Sequence, residues 1–300
     1  PPCRGGRLGA GLENPRPTQL MSLVELFVKT AKAHAGKLAI VDRATGHRVT
    51  YKAALLRALI LERKLRACDA GLVGVMIPTS AGALLTVVAA VMSGRTPVMI
   101  NYSTGAAQNC ELARRRLGFR TIVTSRALLA RLNCPKQEGM VFIEDLAAGV
   151  SLVDKAVGFV RAAMSVDRIC SSIHSAGSDD NVVVLFTSGS EREPKAVPLT
   201  HRNIIANIEG MHGLLEFGPN DVILGNLPLF HVFGFNTNLW LPLANGMTVV
   251  TCPNPLEFRS VCTAVREERV TMMIGTPTFL WGYVQKAEPG DFSTVRLLIT

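Results

Sequence analysis

The segment from Val182 to His201 reads VVVLFTSGSEREPKAVPLTH, and it decides how the chain as a whole is interpreted. Its apolar, β-branched beginning predicts a buried strand. After Thr187 the segment is rich in hydroxyls and glycine, and successive backbone amides there can form an anion-binding concavity. Lys195 adds a mobile positive charge, and Pro194 stiffens the end of the loop. It is not a Walker A motif, because no Gly-Lys-Ser/Thr closes it. The residue types leave two interpretations open: a solvated turn in a hairpin or linker, or a strand-to-helix loop that holds phosphate.

On both sides of this segment, short apolar runs alternate with helical segments. Two short strands joined by a turn around Gly46 are predicted within 38–51, and further strands at 73–77, 97–101, 121–124, 141–144, 182–187, 222–226, 247–251, 270–275 and 295–300. Helices are predicted at 23–34, 51–66, 81–93, 106–116, 200–216, 233–243, 257–268 and 278–286. Continuous apolar strands separated by helices are typical of βαβ units and of parallel sheets covered on both faces. We therefore predict an α/β fold of two βαβ-type subdomains with mostly parallel sheets.

Hydroxyl side chains mark several helix starts. Ser22 and Glu25 form a capping-box pattern, and Thr50 and Ser80 each precede a helical segment. The most apolar segment, residues 74–92, is interpreted as a buried strand and a buried helix rather than a membrane span, because Pro and Ser interrupt it midway.

The chain divides by composition and pattern. Residues 1–20 are rich in Pro, Gly and Arg and are expected to be a tail, a linker or a cloning remnant. Residues 21–180 form the first predicted α/β subdomain, in which 145–180 look irregular. Residues 181–300 form the second, which contains the candidate phosphate loop and ends on a strand.

Composition narrows the class of protein. A hydrophobic content of 48% supports a substantial core, and a charged content of 18% argues against disorder. The net charge of +9 favours anionic ligands, including nucleotides, phospholipid headgroups and acidic carrier proteins. Nucleic-acid binding is not expected, because no basic run is interleaved with aromatic residues. Seven scattered cysteines without a Cys-x-x-Cys pair favour reduced thiols in a cytoplasmic protein, with no metal site.

Three motifs follow one another along the chain: TSGSEREPK with THRN (187–195 and 200–203), LPLFHVFGF (227–235) and GTPTFL (275–280). Together they resemble the adenylate-forming (AMP-binding) superfamily, over roughly residues 23–300. Segments 74–105 and 121–126 look most similar to the acyl-acyl-carrier-protein synthetase part of bacterial 2-acylglycerophosphoethanolamine acyltransferases. The resemblance implies the N-terminal part of the adenylate-forming enzyme fold.

The resemblance implies an acid–thiol ligase. A fatty carboxylate would attack the α-phosphate of ATP, pyrophosphate would leave, and a thiol would take the acyl group from acyl-AMP. ATP and Mg²⁺ are the implied cofactors, because this chemistry asks for positioning and charge neutralisation. The implied acceptor is acyl carrier protein or CoA, and lysophospholipid acylation in the named subfamily implies work from the cytoplasm at the inner membrane surface.

The resemblance also assigns site residues. The β- and γ-phosphates would be held by Thr187, Ser188, Gly189, Ser190 and Lys195. By itself His231 is more often a core or loop residue, but the motif places it near the substrate carboxylate and the α-phosphate, so His231 and Lys195 are the candidate catalytic residues. The acyl pocket would include Gly234, Thr276 and Pro277, although the last two also suit helix-start packing.

The same motifs bear on the role of a second histidine and on the class of substrate. His201 is interpreted as a cap-region or surface residue. Amino-acid-activating relatives commonly place an Asp near the second motif, for the α-ammonium group. Here FGFNTNLW (233–240) offers no carboxylate, which favours a fatty chain.

The chain departs from the family pattern in two ways. Arg192 and Ala196 stand where glycine is usual; Arg192 either strains the loop by about 1–2 kcal/mol or adds a phosphate contact. The family's later adenine, ribose and C-terminal-domain segments are absent from these 300 residues. We therefore expect a fragment that does not complete the reaction alone. The alternative interpretations of the chain are a fatty acyl-CoA ligase and a non-catalytic nucleotide- or acyl-binding remnant.

Overall fold

The computed structural model describes residues 21–187 and 193–300. Their strands form two six-stranded sheets. The first sheet has the spatial order β6 (Met140–Phe142), β5 (Ile122–Thr124), β3 (Leu72–Met76), β4 (Thr96–Met99), β7 (Asn181–Phe186) and β8 (Ala196–Thr200). The second has the order β12 (Leu297–Ile299), β11 (Met272–Ile274), β9 (Val222–Gly225), β10 (Thr248–Thr251), β1 (Leu38–Asp42) and β2 (Arg48–Thr50). Only the edge strands β8 and β2 pair antiparallel, so the predicted α/β fold with mostly parallel sheets is confirmed.

Helices connect and cover these strands. The first eight are α1 (Leu23–Ala33), α2 (Tyr51–Leu65), α3 (Ala81–Met92), α4 (Ala106–Leu117), α5 (Arg126–Arg131), α6 (Ile143–Ala148), α7 (Leu152–Ala163) and α8 (Val166–Ser172). The later ones are α9 (His201–His212), α10 (Val232–Phe235), α11 (Leu241–Ala244), α12 (Phe258–Glu267) and α13 (Pro277–Lys286), and a π-helical segment, Asn236–Trp240, joins α10 to α11.

The predicted helix starts are confirmed at three positions. Ser22 and Glu25 form a complete capping box at α1. Thr50 accepts from the Ala53 amide at the start of α2, and Ser80 caps α3 in the same way. These side chains satisfy amides that would otherwise have no partner in the first turn.

The sheets do not follow the order of the chain. The early hairpin β1–β2 joins the second sheet, where Ile40 lies beside Val249. The hairpin β7–β8 joins the first sheet, where Val184 lies beside Val98. A hairpin from before residue 180 thus pairs in the second sheet, and a hairpin from after residue 181 pairs in the first. The predicted division does not separate the two sheets, because strand pairing depends on contacts between distant segments.

One core spans both sheets. Helix α3 is buried along its whole length and contacts β3 and β4 of the first sheet and β1 of the second. A helix that is hydrophobic on every side needs such a position. Among the described helices, none is both long enough and apolar enough to cross a membrane.

Most of the region 145–172 is helical rather than irregular, and 173–180 form the connection to β7. It contains most of α6 and all of α7 and α8. The signal was present in Ser151 and Asp154, which form a second complete capping box. The helix predicted over 233–243 is interrupted by the π-helical segment, and β8 was not predicted.

Candidate active site

The candidate phosphate loop is the tip of a hairpin. Strands β7 and β8 pair antiparallel, with Phe186 opposite Ala196. At the base of the loop, the Thr187 amide donates to the Lys195 carbonyl, and the Lys195 amide donates to Thr187 Oγ1, both at 3.0 Å. The prediction of a strand-to-helix loop is therefore wrong, because a short strand separates the loop from the cap of α9. The hairpin interpretation and the phosphate interpretation are compatible.

The predicted loop residues are only partly described. Ser188, Gly189, Ser190 and Arg192 lie outside the described residues. Thr187 and Lys195 are brought together, and the side chains of both are exposed. Ala196 is a regular strand residue and is not among the described non-glycine residues with positive φ, so this position does not require glycine.

A carboxylate beside the loop is held by two arginines. Glu193 accepts hydrogen bonds from Arg116 and, at 3.4 Å, from Arg115, at the end of α4. The hydrogen bond from Arg116 lowers the pKa of Glu193, and the nearby guanidinium charges act in the same direction. The negative charge of Glu193 is therefore matched by the two guanidinium groups of α4.

The base of the loop opens into a small pocket of about 130 Å³. It lies beyond the carboxyl ends of β4 and β7, where open α/β sheets bind ligands. Its polar lining comes from Asn101, Thr104, Asn109, Thr187 and His231. This places the second sequence motif directly beside the phosphate loop.

His231 sits between this pocket and a larger one. Its amide donates to the Pro228 carbonyl at 3.2 Å, and its carbonyl accepts from the Phe235 amide at 2.8 Å, which fixes the backbone at the start of α10. The imidazole packs 4.6 Å from the Phe230 ring, centroid to centroid. Although the residue is exposed to the pockets, partial loss of water around the ring lowers its pKa below the ordinary value. It is therefore a neutral imidazole at pH 7.

The larger cleft has a volume of about 630 Å³. Its lining residues are Tyr102, Ser103, Arg131, Leu132, Leu227, Pro228, Phe230, His231, Phe233, Gly234, Pro253, Asn254, Pro255, Leu256, Thr276 and Phe279. Most are apolar, and no Asp or Glu is among them. The predicted residues Gly234 and Thr276 lie in this cleft, whereas Pro277 does not line it and begins α13.

The loop 227–231 is pinned to both sheets. The Leu227 carbonyl accepts from Thr79 Oγ1 at 2.9 Å and from Asn238 Nδ2 at 2.8 Å. Thr79 follows β3 of the first sheet, whereas Leu227 follows β9 of the second. Gly234 packs so tightly that a Cβ there would lie 2.3 Å from the Pro228 oxygen. The π-helical segment turns Asn238 inward, as such segments often do near functional sites.

Sequence reasoning missed several lining residues. Asn101 and Tyr102 follow β4 directly, and their position after an apolar strand was a usable signal. Tyr102 packs edge-on against Phe230, with the ring centroids 4.9 Å apart. Arg131 and Phe279 come from distant helices, and no local pattern marks them.

His201 is outside the site and is not a surface residue. Its side chain is fully buried beneath α9, where Nδ1 accepts from the Leu23 amide at 3.1 Å. Burial lowers the pKa of His201 to about 4. His201 is the first residue of α9, next to the Thr200 cap, so the cap-region alternative holds and only the surface alternative is wrong, since the hydrogen-bond partner lies 178 residues away in sequence.

The chain offers no magnesium site within the described ranges. No group of three or more His, Cys, Asp or Glu side chains there is close enough to hold a metal ion. The described residues therefore do not fit an Mg²⁺ ion held by protein side chains alone. The six cysteines described are free thiols.

Comparison with known proteins agrees with this geometry. The family model described as AMP-binding enzyme matches residues 27–300. A 4-coumarate–CoA ligase of Arabidopsis thaliana is 24% identical over 275 residues, which are 87% of this chain and 48% of that protein. The chain spans less than half the length of the curated relatives it matches.

Solved structures share the fold. The AMPPNP-bound form of the nonribosomal peptide synthetase FmoA3 superposes with a TM-score of 0.77 at 22% identity, over 96% of this chain and 29% of that one. The inhibitor-bound N-terminal domain of FACL13 from Mycobacterium tuberculosis gives 0.75 at 20% identity, over 93% and 70%. The order of the three motifs, the pocket arrangement around His231 and the family match lead to one conclusion: the chain belongs to the AMP-binding enzyme family of adenylate-forming ligases.

Proposed function

We propose that this chain supplies the nucleotide and acyl sites of a ligase that activates an apolar carboxylic acid with ATP and transfers the acyl group to a thiol. The observation that supports this is the position of His231, which lines both the pocket at the base of the phosphate loop and the apolar cleft. A carboxylate in the cleft and the α-phosphate of a nucleotide on the loop would meet beside one imidazole.

The roles of the residues follow from their chemistry. A carboxylate oxygen attacks the α-phosphorus, the bond from the α-phosphorus to the bridging oxygen breaks, and pyrophosphate leaves with the electron pair. Lys195, with Thr187 and the loop hydroxyls, would hold the β- and γ-phosphates and offset their charge. Neutral His231 would donate a hydrogen bond to the reacting oxygens, which positions them for attack.

The cleft supports an apolar acid over an amino acid. Aromatic and aliphatic side chains dominate its lining, and none of its lining residues is a carboxylate that could receive an α-ammonium group. We therefore include a fatty acid as substrate in the proposal. Arg131 is the one Lys or Arg among these lining residues, and it suits the entry of an anion.

Different observations support each of the two candidate acceptors of the acyl group. The curated relative named as a CoA ligase favours CoA. The motif resemblance in residues 74–105 and 121–126 favours acyl carrier protein, with lysophospholipid acylation at the inner membrane as the further step. A binding module without turnover is the alternative from another class.

The first experiment titrates the chain with the ATP analogue AMP-PNP by calorimetry. We expect Lys195→Ala to weaken binding about 10- to 100-fold, because a lost charge-assisted hydrogen bond is worth about 1.5–3 kcal/mol. Lys286→Ala, an equally exposed lysine in the last turn of α13, is the matched control and should bind like the wild type. A loss smaller than threefold for Lys195→Ala would remove that lysine from the site.

A second titration tests the acid. Decanoate should compete for the cleft with a fluorescent fatty-acid probe, whereas phenylalanine, a zwitterion, should not. Equal competition by both would contradict the apolar-acid assignment. If AMP-PNP and decanoate bind but no acyl-AMP forms, the binding-module alternative is favoured.

A further inference from the structure

Helix α7 carries its apolar face on the outside of the protein. Leu152 is 81% exposed, Val153 62%, Phe159 60% and Val160 57%. Their spacing of one, seven and eight residues places all four on one side of the helix. Contiguous large apolar side chains on a protein surface mark an interaction site. We call these four residues the α7 stripe.

The polar side of α7 faces inward, which is the reverse of an ordinary surface helix. Asp154 is buried and accepts from Arg63 Nε at 3.0 Å and Lys64 Nζ at 2.6 Å. Two turns further on, Arg161 donates to Glu62 Oε2 at 2.7 Å, and Glu62 is fully buried. These ion pairs fix the rotation of α7 about its axis, so the α7 stripe cannot turn inward without breaking them.

The backbone contact between α7 and α2 fixes the same orientation. Gly158 packs so closely that a Cβ there would lie 2.6 Å from Ile60 Cγ1. A groove of about 320 Å³ lies between α1, α2 and α7 beside this contact, and Phe159 and Lys52 line it. Lys52 and Lys155 are both exposed at the edges of the stripe. Asp154, the single acidic residue of α7, is already paired in the interior.

We infer that the α7 stripe is a docking surface for an anionic lipid membrane. Exposed large apolar residues flanked by lysines are the pattern of helices that lie in a lipid interface. A second copy of the chain fits less well. Two copies docked through the stripe would bring Lys52 and Lys155 of both copies, all of like charge, to one interface, which is unfavourable, whereas anionic headgroups would offset that charge. The surface does not depend on the proposed ligase activity.

The test is sedimentation of the whole chain with vesicles of phosphatidylcholine alone or with about 30% phosphatidylglycerol. We expect binding to the anionic vesicles that weakens at high salt, and at least a fivefold loss of binding for the double variant Leu152→Ser and Phe159→Ser. The matched control is Leu214→Ser, which replaces a leucine that is 85% exposed but outside the stripe. The double variant Lys52→Gln and Lys155→Gln should lose the preference for anionic vesicles and keep its fold.

Several outcomes would overturn the inference. The wild type could fail to bind anionic vesicles, or the stripe variant could bind as well as the wild type. Concentration-dependent self-association that the stripe substitutions abolish, without vesicle binding, would assign the surface to a second copy instead. As a measurement that does not rely on loss of binding, Phe159→Trp should show a blue-shifted emission on anionic vesicles, and an unshifted spectrum counts against the inference.

Discussion

Replacing Gly234 with alanine should displace the loop that carries His231. The new Cβ would lie 2.3 Å from the Pro228 oxygen and 3.0 Å from the Leu227 Cβ. An ordinary carbon–oxygen contact is about 3.3 Å or longer, so the Pro228 peptide must retreat by about 1 Å. The obstacle is backbone held by two further hydrogen bonds to Leu227, so no side-chain rotation relieves it.

The expected cost of this substitution can be worked out from two opposing effects. Overpacking of a well-packed site costs about 1–3 kcal/mol, and the backbone clash favours the upper end. Alanine regains about 1 kcal/mol of helix propensity. We therefore expect a net loss of about 2 kcal/mol in the free energy of unfolding, measured by urea denaturation followed by circular dichroism. Because the His231 amide donates to the displaced Pro228 carbonyl, decanoate binding should weaken as well.

The control for this prediction is Gly210→Ala in the exposed part of α9. A Cβ there would meet no atom within 4 Å, so the variant should gain up to about 1 kcal/mol of stability. Opposite signs at the two glycines are the outcome that the packing argument requires. If Gly234→Ala is as stable as the wild type and binds decanoate equally well, the loop is not pinned at Gly234 and the reasoning fails.

Three further predictions concern buried charge and pH. The pKa of His201 is about 4 in the folded protein and about 6.5 in the unfolded chain, so the protein should lose up to about 3 kcal/mol of stability as pH falls from 6.5 to 4. In urea melts, the stability of His201→Gln should depend less on pH. Glu62→Ala should cost about 3–5 kcal/mol because it leaves Arg161 without its buried partner, whereas Glu62→Leu combined with Arg161→Met should recover most of that stability in the same melts. Decanoate binding should strengthen as pH falls toward the lowered pKa of His231, because an imidazolium attracts the carboxylate, and an equally strong pH dependence in His231→Asn would place the titrating group elsewhere.

Local signals in the sequence predicted the elements well but not their arrangement. Apolar runs and hydroxyl caps at Ser22, Thr50 and Ser80 were sufficient for most strands and helices, because these signals act over a few residues. The exchange of the β1–β2 and β7–β8 hairpins between the sheets has no such signal. It depends on pairings such as that between Ile40 and Val249, more than 200 residues apart, whose benefit appears only in the folded chain.

Helix α7 was missed for a related reason. Its apolar period is regular, but a helix whose charged residues face inward does not match the usual pattern of a surface element. Only their partners on α2, the buried Glu62 and the exposed Arg63, explain why Asp154 and Arg161 can turn away from solvent. The apolar face on the outside is the consequence.

The sequence predicted those site residues that belong to a contiguous motif, and it missed those that come together only in the folded chain. Thr187, Lys195 and His231 came from motifs and lie around one pocket or its loop. Tyr102, Arg131 and Phe279 complete the cleft from other parts of the chain. A cleft is a property of the fold, so its lining could not be derived from spacing alone.

The hairpin exchange has a consequence for the chemistry. The proposed nucleotide loop lies on the first sheet, between β7 and β8, whereas His231 and Gly234 follow β9 of the second. The two sheets therefore meet at the proposed site, and the 2.9 Å hydrogen bond from Thr79 to Leu227 joins them there. Because α3 packs against both sheets in one shared core, a shift of one sheet against the other would disturb the packing of that buried helix. In the proposed reaction the distance between the phosphate and the carboxylate would thus be set by the core of the protein, and a core substitution far from either pocket is expected to affect the proposed reaction through that distance.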